Sequence, residues 1–204
     1  MTLLNTKRYH RIYNETKQIV KKKLNLKSVP QMQCFCEYDN MSCMLKDNKH
    51  TICTGLPYVK KYKLTKNELM FCYVHELGHW YHRDVYIGVN FNIYFYFISA
   101  LLSILFGLLI DHILLNIISK SAFIINIAFF YLFLTTSTDY ACKRYSYYQE
   151  HRADLFAISI LDTEKGALTF FTKIEYKDGM THPSSTKRME YLKKKIKKIC
   201  PLNK

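Results

Sequence analysis

No Asp, Glu, Lys or Arg occurs from Val85 to Ile110. A run of that length can cross a bilayer core of ~30 Å, and helices buried in soluble cores rarely go so long without charge. A wholly soluble chain is therefore not expected. An apolar leader is also missing: Met1 to Lys27 is polar and basic and does not read as a secretory signal. The seven cysteines follow no framework spacing, so a disulfide scaffold is not expected and the cysteine-bearing segments are assigned to a reducing compartment. Cys34 and Cys36 form a lone CxC, read as alternating strand positions rather than a metal site. Internal repeats and nucleic-acid motifs are absent. The net charge of +14 is accordingly not read as nucleic-acid binding. Basic segments flanking an apolar run are instead suited to an anionic lipid surface.

A second uncharged run covers Ser121 to Thr138, after a short polar break bracketed by Asp111, His112 and Lys120. The two runs predict a transmembrane helical hairpin. Residues 1–85 carry 15 Lys/Arg against 7 Asp/Glu, residues 139–204 carry 14 against 8, and residues 86–138 one of each sign. Positive charge favours the cytoplasmic side, so both termini are expected there, with the hairpin tip opposite. The expected organisation is one domain in two parts, residues 1–84 and 139–204, separated by a membrane hairpin at 85–138.

Within the first part, Thr2 to Leu26 reads as a basic helix with Tyr9, Ile12, Tyr13, Val20 and Leu24 on one face, used for packing. Pro30 ends it. Gln31 to Cys53 reads as short strands, with turns at Asp39-Asn40 and Asp47-Asn48. A short helix is expected over Tyr58 to Tyr62. In the second part, helices are expected over Tyr140 to Leu161, from Asp162 or Thr163 to about Tyr176, and from Thr186 to Ile199, with a loop from Lys177 to Pro183. The fold class is thus α+β, mainly helical, with a small sheet.

The chemistry centres on His75-Glu76-Leu77-Gly78-His79, an HExxH sequence. Residues four apart share one face of a helix, so His75 and His79 can bind one metal ion. Glu76 is placed to take a proton from water that the metal has acidified. Thr65 and Glu68 have capping-box spacing and predict a helix running from about Lys66 to Arg83. Gly78 inside that helix costs roughly 1 kcal/mol against alanine. It is expected where a neighbouring backbone or the substrate comes close.

A peptidase site of this kind needs a third protein ligand. His82 lies seven residues beyond His75, about 10 Å along a helix at 1.5 Å per residue, too far to share the ion. His151 is possible. Glu150 beside it has Asp154 one turn further on, and such an aspartate can accept the N–H of a metal-bound imidazole and fix its orientation. Spacing alone does not separate this pair from a charged surface face.

Taken together, His75-Glu76-Leu77-Gly78-His79-Trp80, a hydrophobic hairpin and then Glu150-His151-Arg152-Ala153-Asp154 resemble the HtpX-like membrane zinc metalloendopeptidases, the family that also contains the CAAX prenyl proteases. Thr51 to Leu56 resembles the family's strand and Gly-Leu step, and Thr181-His182-Pro183 with Arg188 and Leu192 its C-terminal segment. The resemblance runs from about Val29 to Leu192. It implies a zincin-type (gluzincin) domain in which His75, His79 and Glu150 bind one Zn2+ and Glu76 is the general base. It further implies that Asp154 orients a ligand, His182 stabilises the oxyanion and Arg188 supports the carboxylates. The Asn-Ala pair common before the strand is altered here, to Asn40-Met41. HtpX-type N-terminal membrane helices have no counterpart in this sequence, and whether CAAX processing carries over is left open.

The expected function is an integral-membrane zinc endopeptidase acting on protein or peptide substrates at the lipid bilayer. The competing reading is an inactive binding or regulatory module on the same fold. Glu76 argues for the enzyme, because a structural zinc site needs no base.

Overall fold

The computed structural model describes residues 3–46, 49–113 and 120–199. The turn expected at Asp47-Asn48 and the hairpin tip at 114–119 lie outside the described residues. The element order is α1 (Leu3–Leu24), β1 (Gln31–Phe35), β2 (Met41–Lys46), β3 (Lys49–Gly55), α2 (Leu56–Lys61), α3 (Lys66–Tyr81), α4 (Asp84–Ile113), α5 (Lys120–Leu161), α6 (Lys165–Lys173) and α7 (Ser185–Ile199). The chain is mostly helical with one three-stranded sheet. It divides into two units, one of Met1–Val85 with Tyr147–Lys204 and one of Tyr86–Ser146.

The first unit is built around α3. Thr65 caps it with both halves of the capping box in place: its side chain accepts from the Glu68 N–H, and the Glu68 carboxylate accepts from the Thr65 N–H. Lys173 from α6 adds an ion pair to the same carboxylate at 2.7 Å. Leu69, Tyr73, Val74 and Leu77 are fully buried. The basic helix α1 packs there through Tyr9, Ile12, Tyr13 and Val20, all buried. Tyr13 meets the ring of Tyr73 edge-on and donates to the Pro30 carbonyl. The apolar stripe read from sequence is therefore a packing face, with the lysines turned outward.

The sheet order is β1-β3-β2, with β1 parallel and β2 antiparallel to β3. β3 is central and its last five residues are buried. It ends at Gly55, where a β-carbon would fall 1.9 Å from the Tyr38 carbonyl oxygen, so only glycine fits. Cys34 lies in β1, but Cys36 lies beyond its end and is exposed, so the two cysteines do not alternate along one strand.

Three boundaries differ from expectation. The helix expected to reach Arg83 stops at Tyr81, and Arg83 takes a left-handed backbone with φ 59°. That conformation ends helices and costs a residue with a side chain about 1–2 kcal/mol. α4 then starts afresh at Asp84, so His79 and Val85 do not lie on one continuous helix. The second apolar run and the helix expected from Tyr140 are a single helix, α5, of 42 residues. No proline or glycine interrupts it. Finally, α6 stops at Lys173 rather than Tyr176, with Ile174 already extended. At its start the Thr163 hydroxyl accepts from the Lys165 N–H.

In the second unit α4 and the first part of α5 pair antiparallel. The Ser99 and Thr138 hydroxyls lie 3.3 Å apart, and the Phe106 and Phe130 rings stack at 4.1 Å. The outer faces expose large apolar residues, among them Ile93, Phe97, Ile124 and Phe129. Among the described residues one segment, Asp84–Ile110, is long and apolar enough to cross a membrane by length and composition.

Candidate metal centre

One turn of α3 places His75 and His79 on the same face, and α5 brings Glu150 to them. His75 Nε2 and His79 Nε2 are 3.1 Å apart. Glu150 Oε1 is 3.4 Å from His79 Nε2, and Glu150 Oε2 is 3.5 Å from His75 Nε2. A tetrahedral ion bonded at ~2.0–2.1 Å holds its ligand atoms roughly 3.3–3.4 Å apart, so these spacings match. Among the described residues these three form the group able to hold a metal.

α5 can approach α3 this closely because of Gly78. A β-carbon there would lie 3.0 Å from Phe156 Cδ1 and 3.3 Å from the Ala153 α-carbon. The glycine in the HExxH helix thus answers to a neighbouring backbone.

Behind the ligand atoms, each imidazole is held by a carboxylate. His75 Nδ1 lies 2.9 Å from Asp154 Oδ1, and His79 Nδ1 lies 2.8 Å from Asp84 Oδ2. Each carboxylate is in turn held by an arginine. Arg188 of α7 donates to both oxygens of Asp154, at 2.8 and 2.6 Å, and its Nη1 is 2.9 Å from Glu150 Oε2. Arg152 of α5 pairs with Asp84 Oδ1. An ionised carboxylate only accepts, so each Nδ1 carries the proton and each Nε2 presents a lone pair to the centre.

Acceptors therefore converge without a donor among them. Glu150 Oε2 is buried with no hydrogen-bond partner, Arg188 reaching it as an ion pair off the hydrogen-bonding line. A cation fits this donor set, and without one protons must take its place. Burial works against charge on His79, but Asp84 and Glu150 outweigh it and push the imidazole pKa up to about 10. His75 is likewise raised, its burial outweighed by Asp154 and Glu150. Burial would raise Glu150, yet Arg188 and the two histidines hold it well below the usual carboxylate range. Asp154 is lowered against its own burial, chiefly by Arg188.

Glu76 stands on the rim of this group. Burial raises its pKa, the two histidines oppose that, and the Cys43 backbone N–H donates to it. Cys43 belongs to β2, an edge strand, so the sheet edge reaches the site. A cavity of about 360 Å³ opens here, lined by His75, Glu76, Glu150, His182 and Arg188, with Tyr58, Phe71, Cys72 and Tyr176 on its apolar side. His182 comes from the loop between α6 and α7. Its Nε2 is 3.4 Å from Glu150 Oε1, and its side chain is half exposed. Burial lowers its pKa, which favours the neutral ring.

His82, set aside on spacing, and His151, left possible as a third ligand, both stay apart from the group. His82 lies against Phe156 and Tyr81, and His151 stacks on Tyr191. Two residues escaped the sequence reading, Asp84 and Arg152. Asp84 is an ordinary acidic residue in sequence, and Arg152 lies inside the Glu150-to-Asp154 motif with no role of its own. Only the bend at His82-Arg83 returns Asp84 to His79.

Two histidines one turn apart, a glutamate from a second helix and a carboxylate beside them in a cleft form the donor set of a metallopeptidase. The chain belongs to peptidase family M48, whose model matches residues 25–196; the family contains the HtpX-like and CAAX protease-like zinc metallopeptidases. Neither a curated protein nor a solved structure matches the chain.

Proposed function

We propose that this protein is a membrane-anchored zinc endopeptidase, with His75, His79 and Glu150 as ligands. The observation that carries the reading is the convergence of three acceptor atoms whose imidazoles are already fixed through Nδ1. Zinc bound there supplies a Lewis acid that acidifies water and polarises a carbonyl.

Glu76 takes the proton of the attacking water at its carboxylate and passes it to the departing amine. Its raised pKa suits both transfers. His182, at the cavity mouth, donates a hydrogen bond to the oxygen that gains charge as the carbonyl is attacked. Arg188 keeps Glu150 and Asp154 ionised and in place. An extended peptide adds to the free edge of β2, which runs beside Glu76, and the added strand holds the scissile bond over the site.

The apolar segment Asp84–Ile110 and its antiparallel partner in α5 support a membrane hairpin between the two parts of the peptidase domain, 1–84 and 139–204. The basic flanks support a cytoplasmic catalytic face. Substrates are proteins or peptides presented near that surface.

The test is Glu76→Gln in the full chain. Zinc stoichiometry should stay at that of the wild type while peptide hydrolysis falls by roughly 10²–10⁴-fold. Near wild-type hydrolysis by the variant would overturn the assignment.

A further inference from the structure

The two histidines are supported in the same way from opposite sides. His75 rests on Asp154, and Asp154 on Arg188. His79 rests on Asp84, and Asp84 on Arg152. The first set lies within the motifs that resemble known peptidases. The second lies only partly within them: Arg152 belongs to the Glu150-to-Asp154 motif, but Asp84 is the first residue of α4, after the helix break at His82-Arg83.

Asp84 is built into its place. Its side chain is 5% exposed. One oxygen accepts from His79 Nδ1 and the other from Arg152, so neither is left for solvent. Its main-chain carbonyl accepts from Gln149 Nε2 at 3.4 Å. Arg152 is itself held against the Tyr148 ring, 5.4 Å from its centroid. A carboxylate with an arginine on one oxygen presents the other to the ring as an acceptor. It therefore fixes the His79 proton on Nδ1 and the ring plane with it, leaving Nε2 for the metal. An imidazole without this partner is free to turn and to exchange tautomers, and metal binding must then supply the ordering.

We propose that Asp84, held by Arg152, is the positioning residue for His79 and sets the metal affinity of the site jointly with Asp154. The proposal rests on the zinc reading above. It adds that the metal's second histidine is oriented by the residue that begins the apolar helix α4, so the entry of that helix is part of the metal site.

The experiment measures zinc affinity of the full chain by chelator competition, and the visible absorption of the cobalt(II) form. Thermal midpoints of the metal-free proteins serve as the folding control. Asp84→Ala should weaken zinc binding by roughly 10–100-fold, as loss of a carboxylate partner to a ligating histidine does elsewhere. It should also shift the cobalt spectrum; the metal-free midpoint separately reports the stability lost with the Arg152 and His79 ion pairs. Asp84→Asn keeps one acceptor for His79 and should lose less. Arg152→Gln, at a half-buried position, should weaken binding in the same direction; it carries the test if the Asp84 variants fail to fold. Asp154→Ala is the positive control. Wild-type zinc affinity and an unchanged cobalt spectrum in folded Asp84→Ala, or in Arg152→Gln, would overturn the proposal while leaving the zinc site standing. Failure of the wild type itself to bind zinc would overturn both.

Discussion

The α-carbon of Ala153 lies 3.3 Å from the point where a side chain at Gly78 would begin. That contact sets how closely α5 approaches α3, and so whether Glu150 reaches the two histidines. Gly78→Val should drive the helices apart. Overpacking of this kind costs about 1–3 kcal/mol, so the thermal midpoint should fall. Zinc affinity should fall further than the stability loss alone accounts for, because Glu150 moves with the helix. Calorimetry paired with zinc competition checks this, and unchanged zinc binding would show that the contact does not set the ligand spacing.

Glu68 joins the cap of α3 to α6. Burial tends to raise its pKa, but Lys173 and the Thr65 cap outweigh burial and lower it below 4.5. A carboxylate depressed on folding stabilises fully above its unfolded pKa, and the contribution is lost as pH falls through the folded one. Stability of the wild type should therefore drop as pH falls below about 4.5. Glu68→Gln should remove about 1–3 kcal/mol at neutral pH, since Lys173 and the Thr65 N–H lose a charged partner. It should also flatten the acid limb. A pH series of unfolding midpoints for the two proteins measures the difference, and parallel curves would contradict it.

The hairpin makes a topological prediction. Cysteines introduced at Ser184 and at Ser119, a position outside the described residues, should be labelled from opposite sides of the membrane by an impermeant reagent. Labelling from one side would rule out a two-span arrangement.

A further prediction concerns where the enzyme cuts. Val85 stands six residues after His79, and Glu150 twelve residues after Thr138. In the proposed membrane hairpin, the twelve residues of α5 between Thr138 and Glu150, at 1.5 Å per helical residue, would put the metal within about 20 Å of the membrane surface. Cleavage of a model membrane substrate should fall as flexible linkers carry its cleavable segment outward. Equal cleavage at every distance, and of a soluble version, would point to a general peptidase.

The parts of the fold legible in the sequence were those set locally. The cap at Thr65, the buried stripe of α1 and the strand starting at Met41 follow from neighbours in sequence. So does the shared face of His75 and His79, because helical spacing alone produces it. Glu150 had no such local signal. A glutamate four residues before an aspartate is common on solvated faces, and only its resemblance to a known motif set it apart. Asp84 was less visible still. Its contact with His79 depends on a reversal at Arg83, where neither glycine nor proline marks the left-handed residue. The unbroken α5 was also missed, because a shift from apolar to charged composition was read as a boundary while the backbone had no reason to stop.

Arg188 stands 34 residues after Asp154 and 113 after His75. During synthesis the chain therefore makes its histidines early and their last counter-charge late. Until α7 has emerged and docked, Glu150 and Asp154 lack the cation that allows both to be buried as anions, and a buried charge without its partner costs about 3–5 kcal/mol. A nascent chain short of α7 holds the ligands in sequence but has no closed centre in space. The order of translation thus leaves the centre incomplete until the final helix has been made and has brought Arg188 to the two carboxylates.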